Sequence, residues 1–244
     1  DVVLLCDPAY TTGGFDGPMA SLLNEFVSTH RGGLAYIASS KHTAANLAVR
    51  QGPFDPLAKM LPVVLGPGLT HIAEQITRDT HVGWPVRPTG AAWQHPLMQL
   101  RSDDDDNRRL WDVLPGIFWS HPVLRAKPAA VTLAVSSDPA CRTDDGQPLP
   151  LVVWQMYGRG PVLYLGFDST WRWRYVDDGQ PFRRFWSNVI DQLATYRLMK
   201  KRVLLTSDGD DYPAGARVRL TAEVYDDEFE AVLMDHYPVR LMHH

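Results

Sequence analysis

The sequence predicts an α/β fold: a mostly parallel sheet with helices on both faces over residues 1–200, followed by a short β-rich tail over residues 201–244. Three observations lead there. Val2-Val3-Leu4-Leu5-Cys6 is a continuous apolar run, Met19, Leu22, Leu23, Phe26 and Val27 then recur at helical spacing, and Leu34-Ala35-Tyr36-Ile37-Ala38 is a second run. Strand, helix and strand with short joints is the pattern of a parallel crossover. Next, Leu151–Tyr157 and Pro161–Phe167 are apolar runs joined by Gly158-Arg159-Gly160, a turn short enough for a hairpin. The segment after them, Phe182–Leu198, places Phe182, Phe185, Trp186, Val189, Ile190, Leu193 and Ala194 on one wide helical stripe. Finally, Val218, Leu220, Ala222 and Val224 alternate with Arg219, Thr221 and Glu223, as in a half-buried antiparallel strand.

Size and composition fit one ample domain with a smaller piece attached: 244 residues, 45% of them hydrophobic. A net charge of −4 gives no electrostatic case for nucleic acid. Two cysteines make no disulfide framework, and Cys6, inside an apolar run, reads as a small core residue. The histidines are dispersed, and His71, His81, His95 and His121 are not paired at ligand spacing, so neither a metal site nor a cofactor is expected. No apolar run approaches the roughly 20 residues that cross a bilayer. The chain opens at once on a buried-strand pattern, which reads as a fragment of a longer protein whose membrane or targeting segments lie elsewhere.

In chain order, Val2–Cys6 reads as a parallel strand covered on both faces, broken by Asp7-Pro8. Gly32-Gly33 stops the first helix. Ser39 and Ser40 follow the second strand, where they fit as caps of a helix over Ala44–Val49. The competing role is a nucleophile at a strand-to-helix turn, but the flanks, Ala38 and Lys41, lack the glycines of the hydrolase elbow. Phe54–Leu65 reads as a short helix ending in Leu61-Pro62-Val63-Val64-Leu65. Residues 66–128 are poorly patterned, with a brief helix near His95–Leu100 and short strands. Asp103-Asp104-Asp105-Asp106 lacks the glycine and distal glutamate of a calcium loop and reads as a solvated loop or helix start. His121 reads as an ordinary loop residue, and Val131–Val135 as a strand. In the tail, Val203-Leu204-Leu205 and a turn-rich loop over Asp208–Gly215 begin a β-sandwich-like module too short to complete.

Ligands in open α/β sheets bind beyond the carboxyl ends of the strands. The polar run after the Pro161–Phe167 strand therefore supplies the binding candidates: Asp168, Ser169, Trp171, Arg172, Trp173 and Arg174. A turn-forming role for Asp168 and Ser169 is equally consistent with the residues. Alternation along Trp171-Arg172-Trp173-Arg174 puts both indoles on one side, suggesting a latch against Leu204 and the tail.

The strand, helix and Gly32-Gly33-Leu34-Ala35-Tyr36-Ile37-Ala38 order, with Leu57–Pro62 after it, resembles class I glutamine amidotransferase-like domains, which are flavodoxin-like. The run from Gly166 to Ala194 is similar to a bacterial branch whose members are often large membrane-anchored proteins with von Willebrand A-like and Ig-like modules. The segment Lys201–Asp227 resembles the start of the β-rich module that follows such domains. The resemblance implies a catalytic cysteine after the second strand and a late His-x-Glu pair. Here Ala38 holds the cysteine position, with Ser39 and Ser40 beside it, and the late strand ends in Asp168-Ser169. The resemblance thus implies the fold without the activity, as in the middle domain of some beta-galactosidases.

Two functions follow as expectations. One is a non-catalytic module that holds neighbouring domains of its own polypeptide or binds a protein partner, with aromatic and arginine side chains as anchors. The alternative is a serine-dependent hydrolase or amidase using Ser39 or Ser40, His42 or another histidine, and Asp168 as orienter. Ligand binding at the same edge without chemistry is a third use.

Overall fold

The computed structural model describes residues 1–8, 17–43, 55–65, 82–198, 203–207, 213, 215 and 217–224. The chain divides into two compact units, residues 1–197 and 198–244; the boundary expected from sequence was 200/201.

The first unit is a mixed α/β structure. Its strands are β1 (Val2–Cys6), β2 (Gly33–Ile37), β3 (Val63–Leu65), β4 (Val86–Pro88), β5 (Val123–Ala126), β6 (Val131–Ser136), β7 (Pro150–Tyr157) and β8 (Gly160–Leu165). Its α-helices are α1 (Gly17–Ser28), α2 (Asp55–Met60), α3 (Asp104–Val113) and α4 (Gln180–Leu198). The central sheet has the order β1-β2-β8-β7-β6-β4. β1 and β2 are parallel, as are β2 and β8. The β8–β7, β7–β6 and β6–β4 pairs are antiparallel, so the sheet is mixed where a mostly parallel one was expected. For β7 and β8 the reason is connection length: only Gly158 and Arg159 join them, far too few residues for a parallel crossover. β3 and β5 form a separate antiparallel pair.

Strand register places the helices. A Cβ added at Gly33 would lie 2.3 Å from the Leu193 carbonyl oxygen, so α4 rests on the face of β2 that carries Gly33 and Ala35. Val3 and Leu5 line an apolar recess with Leu22, Leu23 and Phe26 of α1. They pair with Leu34 and Tyr36, which puts α1 on the opposite face. Gln155 lies on the α1 face by register with Val162, and its amide donates to the Met60 carbonyl of α2 at 2.6 Å. Helices therefore cover both faces. β2 and β8 are buried along their full length.

β1 differs from expectation. It is an edge strand, with Leu4 and Cys6 exposed, so Cys6 is not a core residue. A covered parallel strand and an apolar edge strand look alike in sequence, because strand order comes from the whole topology. Ile190 is also exposed, at the margin of the α4 stripe, while Phe185, Val189 and Leu193 are fully buried.

The acidic run starts a helix. The Asp103 carboxylate caps α3 by accepting from the Asp106 N–H at 2.9 Å, and Asp104, Asp105 and Asp106 fill the first turn, where the helix dipole favours negative charge. Buried Asn107 in α3 pins the preceding segment, accepting from the Leu100 and Arg101 N–H groups at 2.8 and 3.2 Å and donating to the Met98 carbonyl and Gln99 side chain. That segment contains short 3-10 turns, Gly90–Gln94 and Pro96–Met98, near the expected brief helix.

In the second unit, β9 (Val203–Ser207) and β10 (Leu220–Val224) pair antiparallel. The helix expected over Ala44–Val49 and the loop over Asp208–Gly215 fall largely outside the described residues. Among the described residues, no helix is long and apolar enough to cross a membrane.

Candidate functional site

The parallel half of the sheet brings the ends of β1, β2 and β8 to one edge. The backbone there is fastened by ladder bonds: the Asp7 N–H donates to the Ile37 carbonyl at 2.9 Å, and the Ala38 N–H to the Leu165 carbonyl at 2.8 Å.

Asp7 organises this edge. Its backbone sits at φ 42°, in the left-handed region that aspartate tolerates better than most residues. Its carboxylate reaches the loop after β2. Oδ2 accepts from the His42 N–H at 2.9 Å, and Oδ1 accepts from both the Thr43 N–H and the Thr43 hydroxyl at 2.5 Å. Thr43 is fully buried, and its Oγ1 also accepts from the Tyr36 hydroxyl at 3.2 Å and the Ser39 N–H at 3.1 Å. One carboxylate and one hydroxyl thus close the loop on the strand ends, and the three bonds to the Asp7 carboxylate are charge-assisted.

Beside this clamp lies a buried aromatic group. Tyr36 and Tyr164 are register partners on β2 and β8, with parallel rings and centroids 6.4 Å apart. Burial pushes both phenols up from their ordinary pKa. The Tyr164 hydroxyl lies 3.3 Å from Nδ1 of His121, whose backbone N–H donates to the Gly166 carbonyl at 2.7 Å. His121 is 3% exposed, and burial lowers its pKa to about 4, with the negative Asp7 opposing in part. It is therefore neutral near pH 7. Trp119 stands edge-on to His121, centroids 6.2 Å apart, and its indole N–H is buried without a partner among the described residues.

Among the described residues, those expected to carry chemistry are not joined into a catalytic group. Ala38 is fully buried. Ser39 is half-buried and Ser40 exposed. Among the described residues no hydrogen bond connects either hydroxyl to the His42 ring or to Asp168. His42 is held by its backbone N–H, not by its imidazole. The Asp168 carboxylate accepts from its neighbour Ser169 Oγ at 3.3 Å, and forms no ion pair with an arginine among the described residues. No cluster of three or more metal-ligating side chains occurs among them either.

The aromatic–arginine run is a 3-10 helix, Ser169–Tyr175, not an extended segment. The indoles consequently part company. Trp173 is fully buried in the first unit, edge-on to Trp111 and Phe185, with its N–H donating to the Pro115 carbonyl at 3.3 Å. Trp171 is 42% exposed. The expected alternation, with both indoles on one side, is overturned, because residues two apart on a tight helix do not share a face. The contact expected with Leu204 falls outside what is described. Arg172 stacks over the Phe118 and Trp171 rings at 4.4 and 4.7 Å, and Arg174 over Phe182 at 5.4 Å.

Sequence reasoning missed Asp7, Thr43 and His121. The signal for Asp7 was a polar residue closing an apolar strand at the sheet's carboxyl end. For Thr43 and His121 no local signal exists, since their burial arises from segments far apart in the chain.

No protein-family profile and no curated protein matches the chain. Among solved structures, it is similar to the cytoplasmic protein STM3548 from Salmonella typhimurium, at 16% identity and a TM-score of 0.49, covering 79% of this chain and 71% of that one. It is also similar to the cytoplasmic protein STM1381 from Salmonella typhimurium LT2, at 18% identity and a TM-score of 0.47, with the same coverage. Neither name states an activity or a ligand.

Proposed function

We propose that the chain is a non-catalytic, class I glutamine amidotransferase-like module that serves a larger protein as a structural or protein-interaction domain. The observation that carries this reading is the state of the edge where such chemistry takes place. Nucleophilic catalysis needs a nucleophile within hydrogen-bond reach of a base, and a third group to orient that base. The position after β2 is Ala38, a buried residue whose N–H belongs to the sheet ladder. The polar groups around it are spent on closing the loop: Asp7 on His42 and Thr43, Thr43 on Ser39 and Tyr36. The one buried histidine among the described residues, His121, has Nδ1 on a phenol, not on a carboxylate that would raise its basicity. The tie to a membrane-anchored bacterial protein rests on the sequence resemblance alone.

Ammonia release from glutamine by the purified chain tests the reading. The expected rate equals that of buffer. Release that disappears in a Ser40→Ala variant would replace the proposal with the serine-dependent alternative.

A further inference from the structure

We infer that the exposed face of the Ser169–Tyr175 turn docks an acidic segment of a partner protein carrying an aromatic or large aliphatic anchor. The inference rests on the interaction-module reading and supplies its surface and the chemistry of its partner.

Two large aromatics stand in water here. Trp171 is 42% exposed and Tyr175 80% exposed, and their rings meet edge to face with centroids 6.2 Å apart. Exposed indole and phenol area is a standing cost that a partner's apolar side chain removes, and Trp, Tyr and Arg are the residue types that dominate binding energy. Arginine surrounds the pair. Arg172 stacks on Trp171, and Nε of Arg174 donates to the Trp171 carbonyl at 3.4 Å. Arg183 donates to the Asp178 carbonyl at 2.8 Å and adjoins Arg174: a Cβ at Gly179 would lie 3.3 Å from both the Arg183 guanidinium and the Arg174 carbonyl. Neither Arg172 nor Arg174 has a carboxylate partner among the described residues. A guanidinium stacked by its face keeps its N–H edges for carboxylate oxygens.

Local acids do not cancel this charge. Asp177 is engaged by Arg101, whereas the Ser169 hydroxyl leaves the charge of Asp168 in place. Asp168 and Asp178 thus stand against Arg172, Arg174 and Arg183, which leaves a net positive charge. A positive, aromatic patch on a chain of net charge −4 selects an acidic segment locally, while the rest of the surface repels polyanions that extend beyond it. The patch is also rigid. Buried Trp173, wedged between Trp111 and Phe185, fixes the turn, so docking orders little that is not already ordered.

The test uses the whole chain and short labelled synthetic peptides, each with glutamates around one phenylalanine or leucine. Controls replace glutamate by lysine, or the apolar residue by glycine, and a single-stranded oligonucleotide is titrated in parallel. Fluorescence anisotropy is expected to show saturable binding of the acidic, anchor-bearing peptides, weakening as salt rises. Trp171→Ala and Arg174→Ala should each weaken it by about tenfold or more. Arg109→Ala, an exposed arginine outside the patch, should leave it unchanged, and unaltered melting of each variant shows that the fold is intact. Absence of saturable binding, equal binding of the lysine peptides, indifference to both patch variants, or tighter binding of the oligonucleotide each overturns the inference. Glutamine hydrolysis together with patch-dependent peptide binding would remove only the non-catalytic reading. Inertness in both assays would remove only the docking surface.

Discussion

The indole of Trp173 stands edge-on to the ring of Phe185, with centroids 5.1 Å apart and planes at 85°. This contact joins the turn after β8 to α4, and both side chains are fully buried. The turn therefore belongs to the core at one residue and to the surface at its near neighbour, Trp171.

Replacing Trp173 by alanine should destabilise the first unit by about 3–5 kcal/mol, the usual cost of truncating a buried large aromatic. Trp171→Ala should change stability by less than about 0.5 kcal/mol. Urea denaturation followed by circular dichroism measures both. Equal effects would show that the two indoles share one environment.

Gly33 and Leu193 set how closely α4 lies on β2. A methyl group at Gly33 would stand 2.3 Å from a backbone oxygen, which no rotamer change relieves. Gly33→Ala should cost about 1–3 kcal/mol through displacement of the helix. Gly90, with nothing within 4 Å of an added Cβ, is the control, and Gly90→Ala should be tolerated. Thermal melts of the two variants decide the matter.

His121 makes stability depend on pH. Its folded-state pKa, about 4, lies below the ordinary 6.5 because burial disfavours the charged ring. As pH falls, the unfolded chain takes up the proton first. The stabilising contribution is full above about 6.5, declines as pH drops toward about 4, and is gone below; the difference amounts to roughly 3 kcal/mol. His95, also lowered by burial, acts in the same direction. The diagnostic is thus the comparison of parent and His121→Gln unfolding free energies across that window. The variant should show the shallower slope, and identical slopes would mean that His121 is accessible to protons in the folded chain.

The Asp7 clamp predicts a local effect. Asp7→Asn keeps the shape and the tolerance for φ 42° but replaces one acceptor by a donor facing N–H and O–H groups. Loss of hydrogen bonds to a charged acceptor costs about 1.5–3 kcal/mol. Amide exchange at His42 and Thr43 should accelerate more than exchange within β8. Uniform acceleration would indicate that Asp7 supports the sheet as a whole.

Much of this architecture is legible in the residues, for physical reasons. β7, β8 and α4 are long, strongly patterned and adjacent in sequence, so periodicity and a glycine turn specify them. β1 and β2 are legible as strands, yet the edge position of β1 is not, because it depends on where β8 inserts. α3 was obscured by its own cap: four consecutive aspartates mask the short apolar face of Leu110 and Trp111. At the candidate site, the sheet edge and Ala38 could be read directly. The separation of Trp171 from Trp173 could not, since it turns on whether the backbone after Asp168 is extended or helical. Asp7 and Thr43 meet across 36 positions, and the pairing of His121 with Tyr164 across 43.

The central claim, that the sheet edge holds no activated nucleophile, is tested most directly by intact-mass spectrometry of the folded chain after exposure to a fluorophosphonate probe. The account predicts an unmodified mass, because neither Ser39 nor Ser40 is bonded to a base among the described residues. A stoichiometric adduct that maps to either serine, and is lost when the chain is denatured before exposure, would contradict it.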